Sequence, residues 1–318
     1  MRVLITGGAG FIGSNLAKGL LKDSDVEHVI VLDNLITGFE SNLTEIQGHQ
    51  KFEFVKGDIR DYNLVNNLVG QCTHISHQAA LGSVPRSVKD PILSNDININ
   101  GTLNVFHAAK ENGIEKVVFA SSSSVYGDDP TLPKQENLTG NVLSPYALTK
   151  KTKEEYARLF SMHYKLSIIG LRYFNVFGPF QNPKGPYAAV IPIFIDHLLK
   201  NKAPEIHGDG LQSRDFTYID NVVAANILAL KDTSIQSQFE IFNIALGEKT
   251  SLVELYQKIA DIIGSNIPPR FGPPREGDIK HSLANIDKIM NVLGYRPLVT
   301  IDEGLKRTVD WIKMNHEK

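Results

Sequence analysis

The chain has 318 residues, 42% of them hydrophobic and 21% charged, with a formal net charge of −2. That length allows one large domain or two intimate ones, and the near-neutral balance carries no electrostatic footprint for nucleic acid. A single cysteine, Cys72, excludes an intrachain disulfide and fits a reducing compartment, and no apolar run is long enough to span a bilayer. The first strand-like run begins at the second residue, so no secretory signal is expected and the cytoplasm is the expected location. No membrane or nucleic-acid partner and no metal is expected.

Val3-Leu4-Ile5 reads as a buried strand that stops at Thr6. Glycines follow at 7, 8, 10 and 13, and Phe11 opens a helical pattern through Leu16, Leu20 and Leu21. Gly8-Ala9-Gly10-Phe11-Ile12-Gly13 satisfies G-x-G-x-x-G, in which glycines permit the tight turn, the approach to a pyrophosphate and close packing of helix on strand. The anion would rest on unpaired N–H groups of the helix N-terminus. A second strand, Val29-Ile30-Val31-Leu32, ends at Asp33, twenty positions beyond Gly13. A carboxylate there suits ribose hydroxyls and repels a 2′-phosphate, which favours NAD over NADP.

Further strands are predicted around Phe52 to Val55, His74 to His77, Lys116 to Ala120, Leu166 to Leu171 and Glu240 to Ile244. Helical patterns run from about 92 to 112, from Ser144-Pro145-Tyr146 through Phe160, and at about 190–200, 220–231, 251–263 and 302–314. Ser144 suits a cap and Pro145 a first turn. The alternation predicts an α/β fold, a Rossmann-type doubly wound parallel sheet joined to a smaller, mixed α/β domain. Beyond Arg172 a cluster of glycine and proline marks the boundary, giving a first domain of 1–175 and a second of 176–318. Part of about 215–262 is expected to return to the main sheet.

Tyr146 and Lys150 are four apart on a predicted helix and share a face. An adjacent ammonium favours the phenolate, so the pair makes a credible general base for a hydroxyl proton as hydride leaves the same carbon. Four serines, Ser121 to Ser124, end the preceding strand. Some are expected to form turns, and at least one to face the substrate and relay a proton to Tyr146.

TGGAGFIG, Asp33, Gly57-Asp58-Ile59, Ala79-Ala80, SSSSVYG, Tyr146-x-x-x-Lys150 and Leu171-Arg172-Tyr173-Phe174-Asn175 together resemble the extended short-chain dehydrogenase/reductase family. Within it the chain is similar to NAD-dependent nucleotide-sugar 4-epimerases, above all bacterial ones acting on UDP-N-acetylglucosamine. The resemblance covers essentially the whole chain. It implies a tightly held NAD, regenerated each cycle, cradled by Gly7, Gly10, Phe11, Ile12 and Gly13. Asp33 and Asn34 would meet the adenosine ribose, Asp58 and Ile59 would flank the adenine, and Ala79, Ala80 and Tyr173 would line the cofactor site. Ser122 would be the catalytic hydroxyl, Tyr146 the base, and Lys150 would also hold the nicotinamide ribose. Asn175 and Arg214 would contact the sugar diphosphate, and Ala189, Val190 and Ile191 the uracil. Arg275 and Asp278 would hold the nucleotide end.

For the sugar, Gly82 in LGSVPRS leaves room where simple UDP-glucose epimerases often carry lysine. Ser282 takes the place of a gatekeeper that, as tyrosine, would narrow the pocket. With the polar Gln181 and Asn182, these residues favour an N-acetylated UDP-sugar; Ser83, Ser122 and Ser123 are also expected to line the substrate site. Ser123 and Ser124 stand where the related 4,6-dehydratases carry an Asp-Glu pair, so no acid and base for elimination are expected. UDP-glucose and UDP-glucuronate epimerases stay open as alternatives, as does a silent dinucleotide sensor. The resemblance also implies a homodimer through a four-helix bundle, built from the helices near 92–112 and 146–163, and a role in supplying polysaccharide or glycan precursors.

Overall fold

A computed structural model describes residues 1–183, 189–235, 238–274 and 280–316. The first half runs β1 (Arg2–Thr6), α1 (Phe11–Leu21), β2 (His28–Asp33), β3 (Phe52–Lys56), α2 (Tyr62–Val69), β4 (His74–His77), α3 (Val84–Lys89), α4 (Pro91–Asn95), α5 (Gly101–Glu111), β5 (Lys116–Ser122), α6 (Pro145–Tyr164) and β6 (Ile168–Tyr173). The second half runs β7 (Val176–Phe177), α7 (Val190–Leu199), β8 (Glu205–His207), β9 (Ser213–Arg214), β10 (Thr217–Tyr218), α8 (Ile219–Lys231), β11 (Phe239–Ile244), β12 (Thr250–Ser251), α9 (Leu252–Ile263), β13 (Arg270–Gly272), α10 (Asp287–Val292) and α11 (Ile301–His316).

Seven strands form one parallel sheet in the order β11-β6-β5-β4-β1-β2-β3. The predicted doubly wound α/β sheet is thus present. Its strands are apolar on both faces because helices cover both. Val3 and Ile5 point into one core with Leu16 and Leu20 of α1 and Val222 and Ala225 of α8. Leu4 points into the other, with Val65 of α2, Val105 and Phe106 of α5 and Ala157 of α6. The chain winds outward through β2 and β3, then crosses to β4, so β1 and β4 flank the switch point where an α/β sheet opens a crevice at its carboxyl edge.

The later chain returns to this sheet. β11 pairs in parallel with β6, from Phe239 opposite Ile168 to Ile244 opposite Tyr173. α8 lies so close to α1 that a Cβ on Gly19 would sit 2.5 Å from Val223 Cγ1. Three two-stranded pairs, β7 with β10, β8 with β13 and β9 with β12, complete the second half. Among the described residues no helix is long and apolar enough to cross a membrane.

The long pattern at 92–112 forms α4 and α5 with a turn of π-helix, Asp96–Asn100, between them. That turn carries Asn98, which is fully buried. Its Oδ1 accepts from Leu81 N at 2.6 Å, and its Nδ2 donates to Leu81 O at 3.2 Å and Thr149 Oγ1 at 3.1 Å. The π turn therefore ties the loop after β4 to α6, a use typical of such bulges.

Candidate active site

At the carboxyl edge of β1 and β4 an open cleft of about 610 Å³ is lined by Gly7, Gly10, Phe11, Ile12, Gly13, Asp33, Asn34, Ile59, Ala79, Ala80, Gly82 and Ser83 among others. The glycines are sterically required. Gly7 has φ +71°, and a Cβ there would lie 2.7 Å from Ala79 N; a Cβ on Gly13 would lie 2.3 Å from Gly7 O. Gly10, the N-cap of α1, has no side chain to cap the helix, so no side chain occupies the first amides. Asp33 closes the floor: its Oδ1 accepts from Leu35 N at 2.8 Å and its Oδ2 from Ala9 N at 3.0 Å. Burial raises its pKa above the usual carboxylate value, and the amide bonds oppose the shift. A close-packed glycine turn, an uncapped helix start and a carboxylate after β2 fit a dinucleotide with free ribose hydroxyls.

Asp58 is engaged within the protein. Its carboxylate takes Arg60 Nε at 3.0 Å and Nη2 at 2.8 Å, and Asn34 Nδ2 at 2.8 Å, and is held down at about 2 chiefly by Arg60. The two residues around it, Gly57 and Ile59, line the cleft instead. Tyr173 is also turned inward: its hydroxyl donates to Gln78 Oε1 at 3.0 Å within a buried cluster containing Asn226. Gln78 lines the cleft.

Further along the same edge, β5 ends at Ser122 and α6 brings up Tyr146 and Lys150. Ser144 caps α6 as expected, its Oγ accepting from Ala147 N at 3.1 Å, with Pro145 in the first turn. Ser122 takes the turn-forming role foreseen for part of the serine run. Its Oγ accepts from Ser124 N at 3.1 Å, closing a 3₁₀ turn over Ser123–Tyr126, and the same hydroxyl stands near the Tyr146 phenol and favours its ionised form. Ser121 is structural, donating to Glu154 Oε1 at 2.5 Å. Lys150 Nζ donates to Ala120 O at 2.8 Å and sits 5.6 Å from the Tyr146 ring centroid.

The phenol departs from expectation. Burial pushes Tyr146 up, and the Ser122 bond opposes this. Lys150 does not reverse the shift because its own ammonium is desolvated and pushed down to about 8, with Glu154 opposing.

The residues assigned to the sugar nucleotide lie on the later segments. Asn175 has φ +33° and donates through Nδ2 to Asp215 O at 3.2 Å. Arg214 Nη1 donates to Ser213 O at 3.0 Å and Lys280 O at 3.3 Å. Ser282 N donates to Ser213 O at 3.0 Å, which places Arg214 and Ser282 on neighbouring strand-like segments. Gln181 donates through Nε2 to Val176 O at 3.1 Å, while its buried Oε1 has no partner among the described residues. Ala189 is the N-cap of α7 and Val190 its first residue, followed by buried Ile191. A Cβ on Gly82 would meet nothing within 4 Å. Ser83 has φ +100°, and its Oγ accepts from Arg86 N at 3.3 Å to cap α3. Arg275 and Asp278 lie outside the described residues.

Several site residues carry no sequence signal of their own. Gly38 packs against Ala9, and a Cβ there would lie 3.0 Å from Asp33 Oδ2. Arg86 lines the cleft with no such signal, whereas Asn182, expected near the sugar, lines it from a distant segment. Under the catalytic helix, Arg172 forms a two-pronged buried ion pair with Glu154, Nε to Oε1 at 2.9 Å and Nη2 to Oε2 at 2.8 Å.

A parallel seven-stranded sheet with a glycine cradle at its switch point, and a Ser-Tyr-Lys group further along its edge, defines an NAD-dependent enzyme of the short-chain dehydrogenase/reductase type. Residues 3–245 match the NAD dependent epimerase/dehydratase family, and the chain belongs to it. It is similar to a putative UDP-glucose 4-epimerase of Methanocaldococcus jannaschii, with 42% identity over 99% of each chain. Among solved structures it is similar to a UDP-N-acetylglucosamine 4-epimerase from Methanobrevibacter ruminantium in complex with UDP-N-acetylmuramic acid, with TM-score 0.93 and 39% identity over 99% of this chain and 98% of that one. It is also similar to a Thermus thermophilus UDP-glucose 4-epimerase in complex with NAD, with TM-score 0.87 and 37% identity over 98% and 99% of the two chains. The enzyme is of the epimerase class, and its cofactor is NAD.

Proposed function

We propose that this protein is a UDP-sugar 4-epimerase that interconverts UDP-N-acetylglucosamine and UDP-N-acetylgalactosamine. The observation that carries the reaction type is the placement of Ser122, Tyr146 and Lys150 together at the edge that also carries the glycine cradle. A cofactor sensor has no use for that base, and the serines at 123 and 124 leave no acid and base for dehydration. Tyr146, through the Ser122 hydroxyl, takes the proton of the sugar 4-hydroxyl and later returns it. NAD, which the glycine cradle, Asp33 and Lys150 would hold, would supply reversible hydride chemistry at C4 of the sugar. Lys150 holds the nicotinamide ribose and, as a cation, favours the phenolate that burial otherwise disfavours. Asn175 and Arg214 keep the diphosphate anchored while the sugar turns, with Arg275 and Asp278 assigned to the nucleotide end.

The acetylated substrate is favoured by space. Gly82 leaves its Cβ position open, and Ser282 is a small residue beside the Arg214 segment. The test is to compare initial rates on UDP-N-acetylglucosamine and UDP-glucose, in the native enzyme and in Ser282→Tyr. A clear preference for the acetylated sugar, lost in Ser282→Tyr with UDP-glucose turnover kept, is expected. Faster conversion of UDP-glucose or UDP-glucuronate by the native enzyme overturns the assignment.

The reading extends to a cytoplasmic homodimer supplying a glycan precursor. Val88 of α3, Ile92 of α4 and Leu148 of α6 are 63%, 82% and 53% exposed. These apolar side chains on neighbouring helices suit a four-helix interface with a second copy. Ile92→Glu is expected to give a monomer by light scattering; an unchanged mass sinks this interface.

A further inference from the structure

Asp215 follows Arg214 and is fully buried. Its carboxylate gathers backbone amides from two other segments: Leu246 N donates to Oδ1 at 3.0 Å, Gly247 N to Oδ2 at 3.1 Å and Ala284 N to Oδ2 at 3.3 Å. Its own carbonyl accepts from Asn175 Nδ2 at 3.2 Å, and Asn175 O accepts from Thr217 N at 3.2 Å. One residue therefore joins the loop after β6, the turn after β11 and the segment that carries Ser282, two positions before Ala284.

We propose that Asp215 is a positioning residue whose carboxylate, by holding those three amides, sets Arg214, Asn175 and Ser282 in register for the diphosphate of the bound UDP-sugar. The inference rests on the reading of Arg214 and Asn175 as diphosphate contacts. A carboxylate can only accept, so all three amides are satisfied at once. A carboxylic acid, or an asparagine amide, turns a donor toward at least one of them, and one segment must move.

The carboxylate is consequently a charge-state-dependent clamp. Burial raises Asp215 to about 7, the three amides oppose this, and Glu248 adds to it. Buried Tyr295 also faces the carboxylate, its own hydroxyl donating to Ala245 O at 3.2 Å. Arg214 is adjacent in the chain but directs its guanidinium to Ser213 O and Lys280 O. His281, whose Nδ1 lies 2.9 Å from Ser213 Oγ, is the imidazole beside the Arg214 segment and serves as the control position. The diphosphate of a UDP-sugar is a diester and does not itself titrate near neutrality. If only the carboxylate form is competent, its population sets the apparent affinity, which weakens by roughly tenfold between pH 8 and pH 6.

The experiment is calorimetric titration of the holoenzyme with UDP-N-acetylglucosamine at pH 8 and pH 6, in the native protein, Asp215→Asn, His281→Gln and Arg214→Gln. Expected are a roughly tenfold weakening in the native protein, the same dependence in His281→Gln, and weak, pH-independent binding in Asp215→Asn with NAD content unchanged. Native binding that is flat with pH, loss of the dependence in His281→Gln, or native-like affinity in Asp215→Asn overturns the inference. If Asp215→Asn does not fold, the native and His281→Gln profiles decide. Arg214→Gln separates the two levels. Should it bind normally, the diphosphate reading falls. Should it bind weakly while Asp215→Asn does not, only the role of Asp215 falls.

Discussion

Replacing Glu154 with glutamine tests how the catalytic helix is held. Glu154 and Arg172 are 8% and 5% exposed in their side chains, and both guanidinium nitrogens that face the carboxylate are used. Arg172 Nη1 also donates to Glu136 O at 3.0 Å, and its guanidinium lies 4.9 Å from the Tyr126 ring centroid, so it cannot swing out to water without breaking two further contacts. Removing one charge of a buried pair leaves the other uncompensated and costs about 3–5 kcal/mol. Glutamine keeps one acceptor oxygen, which puts the expected loss near the lower end, about 3 kcal/mol in urea unfolding. Glu154 also opposes the depression of Lys150, which stands at about 8. Without it Lys150 loses its proton at lower pH, so the alkaline limb of kcat/KM moves toward neutrality. A variant within about 1 kcal/mol of the native protein, with an unshifted alkaline limb, would refute the argument.

Tyr146→Phe is expected to lower kcat by about 10²- to 10⁴-fold while NAD, released by denaturation and assayed, stays at the native ratio. Gly13→Ala places a Cβ 2.3 Å from Gly7 O and 2.6 Å from Gly8 Cα. Both are backbone atoms that no rotamer change can clear, so the cradle must open; reduced NAD content and a lower melting temperature are expected, and a fully loaded variant would contradict this. Arg60 depresses Asp58 to about 2, so the pair's contribution is complete above pH 4 and is lost as pH falls toward 2. Because both groups are partly exposed, Arg60→Gln should cost only about 0.5–1 kcal/mol at pH 7. That difference should narrow in unfolding curves taken below pH 4; a constant difference would count against the pair.

The legible parts of the sequence were those where one local rule suffices. An apolar run of alternating strand faces, a glycine turn and an acid at the next strand's end located the cradle and Asp33. Ser144 and Pro145 announced the start of α6, and the Glu240 to Ile244 stretch foretold the strand that returns to the sheet. What stayed hidden depends on contacts between distant segments. Asp58 keeps the expected spacing, yet its carboxylate is taken by Arg60 and Asn34. The i, i+4 spacing of Tyr146 and Lys150 is real, but desolvation of both groups sets the direction of the phenol's shift. Asn98 shows itself as a bridge only because a π turn rotates it between Leu81 and Thr149. Asp215 sits beside a recognisable arginine, but its three amides come from positions 246, 247 and 284.

The central claim is a 4-epimerase that holds its own NAD and works on an acetylated UDP-sugar. The most direct measurement is to incubate purified protein, with no added cofactor, with UDP-N-acetylglucosamine and follow the sugar by NMR. UDP-N-acetylgalactosamine should appear and approach a fixed ratio, with many turnovers per subunit and no net NADH. No conversion, or conversion only with stoichiometric NADH build-up, would contradict the account.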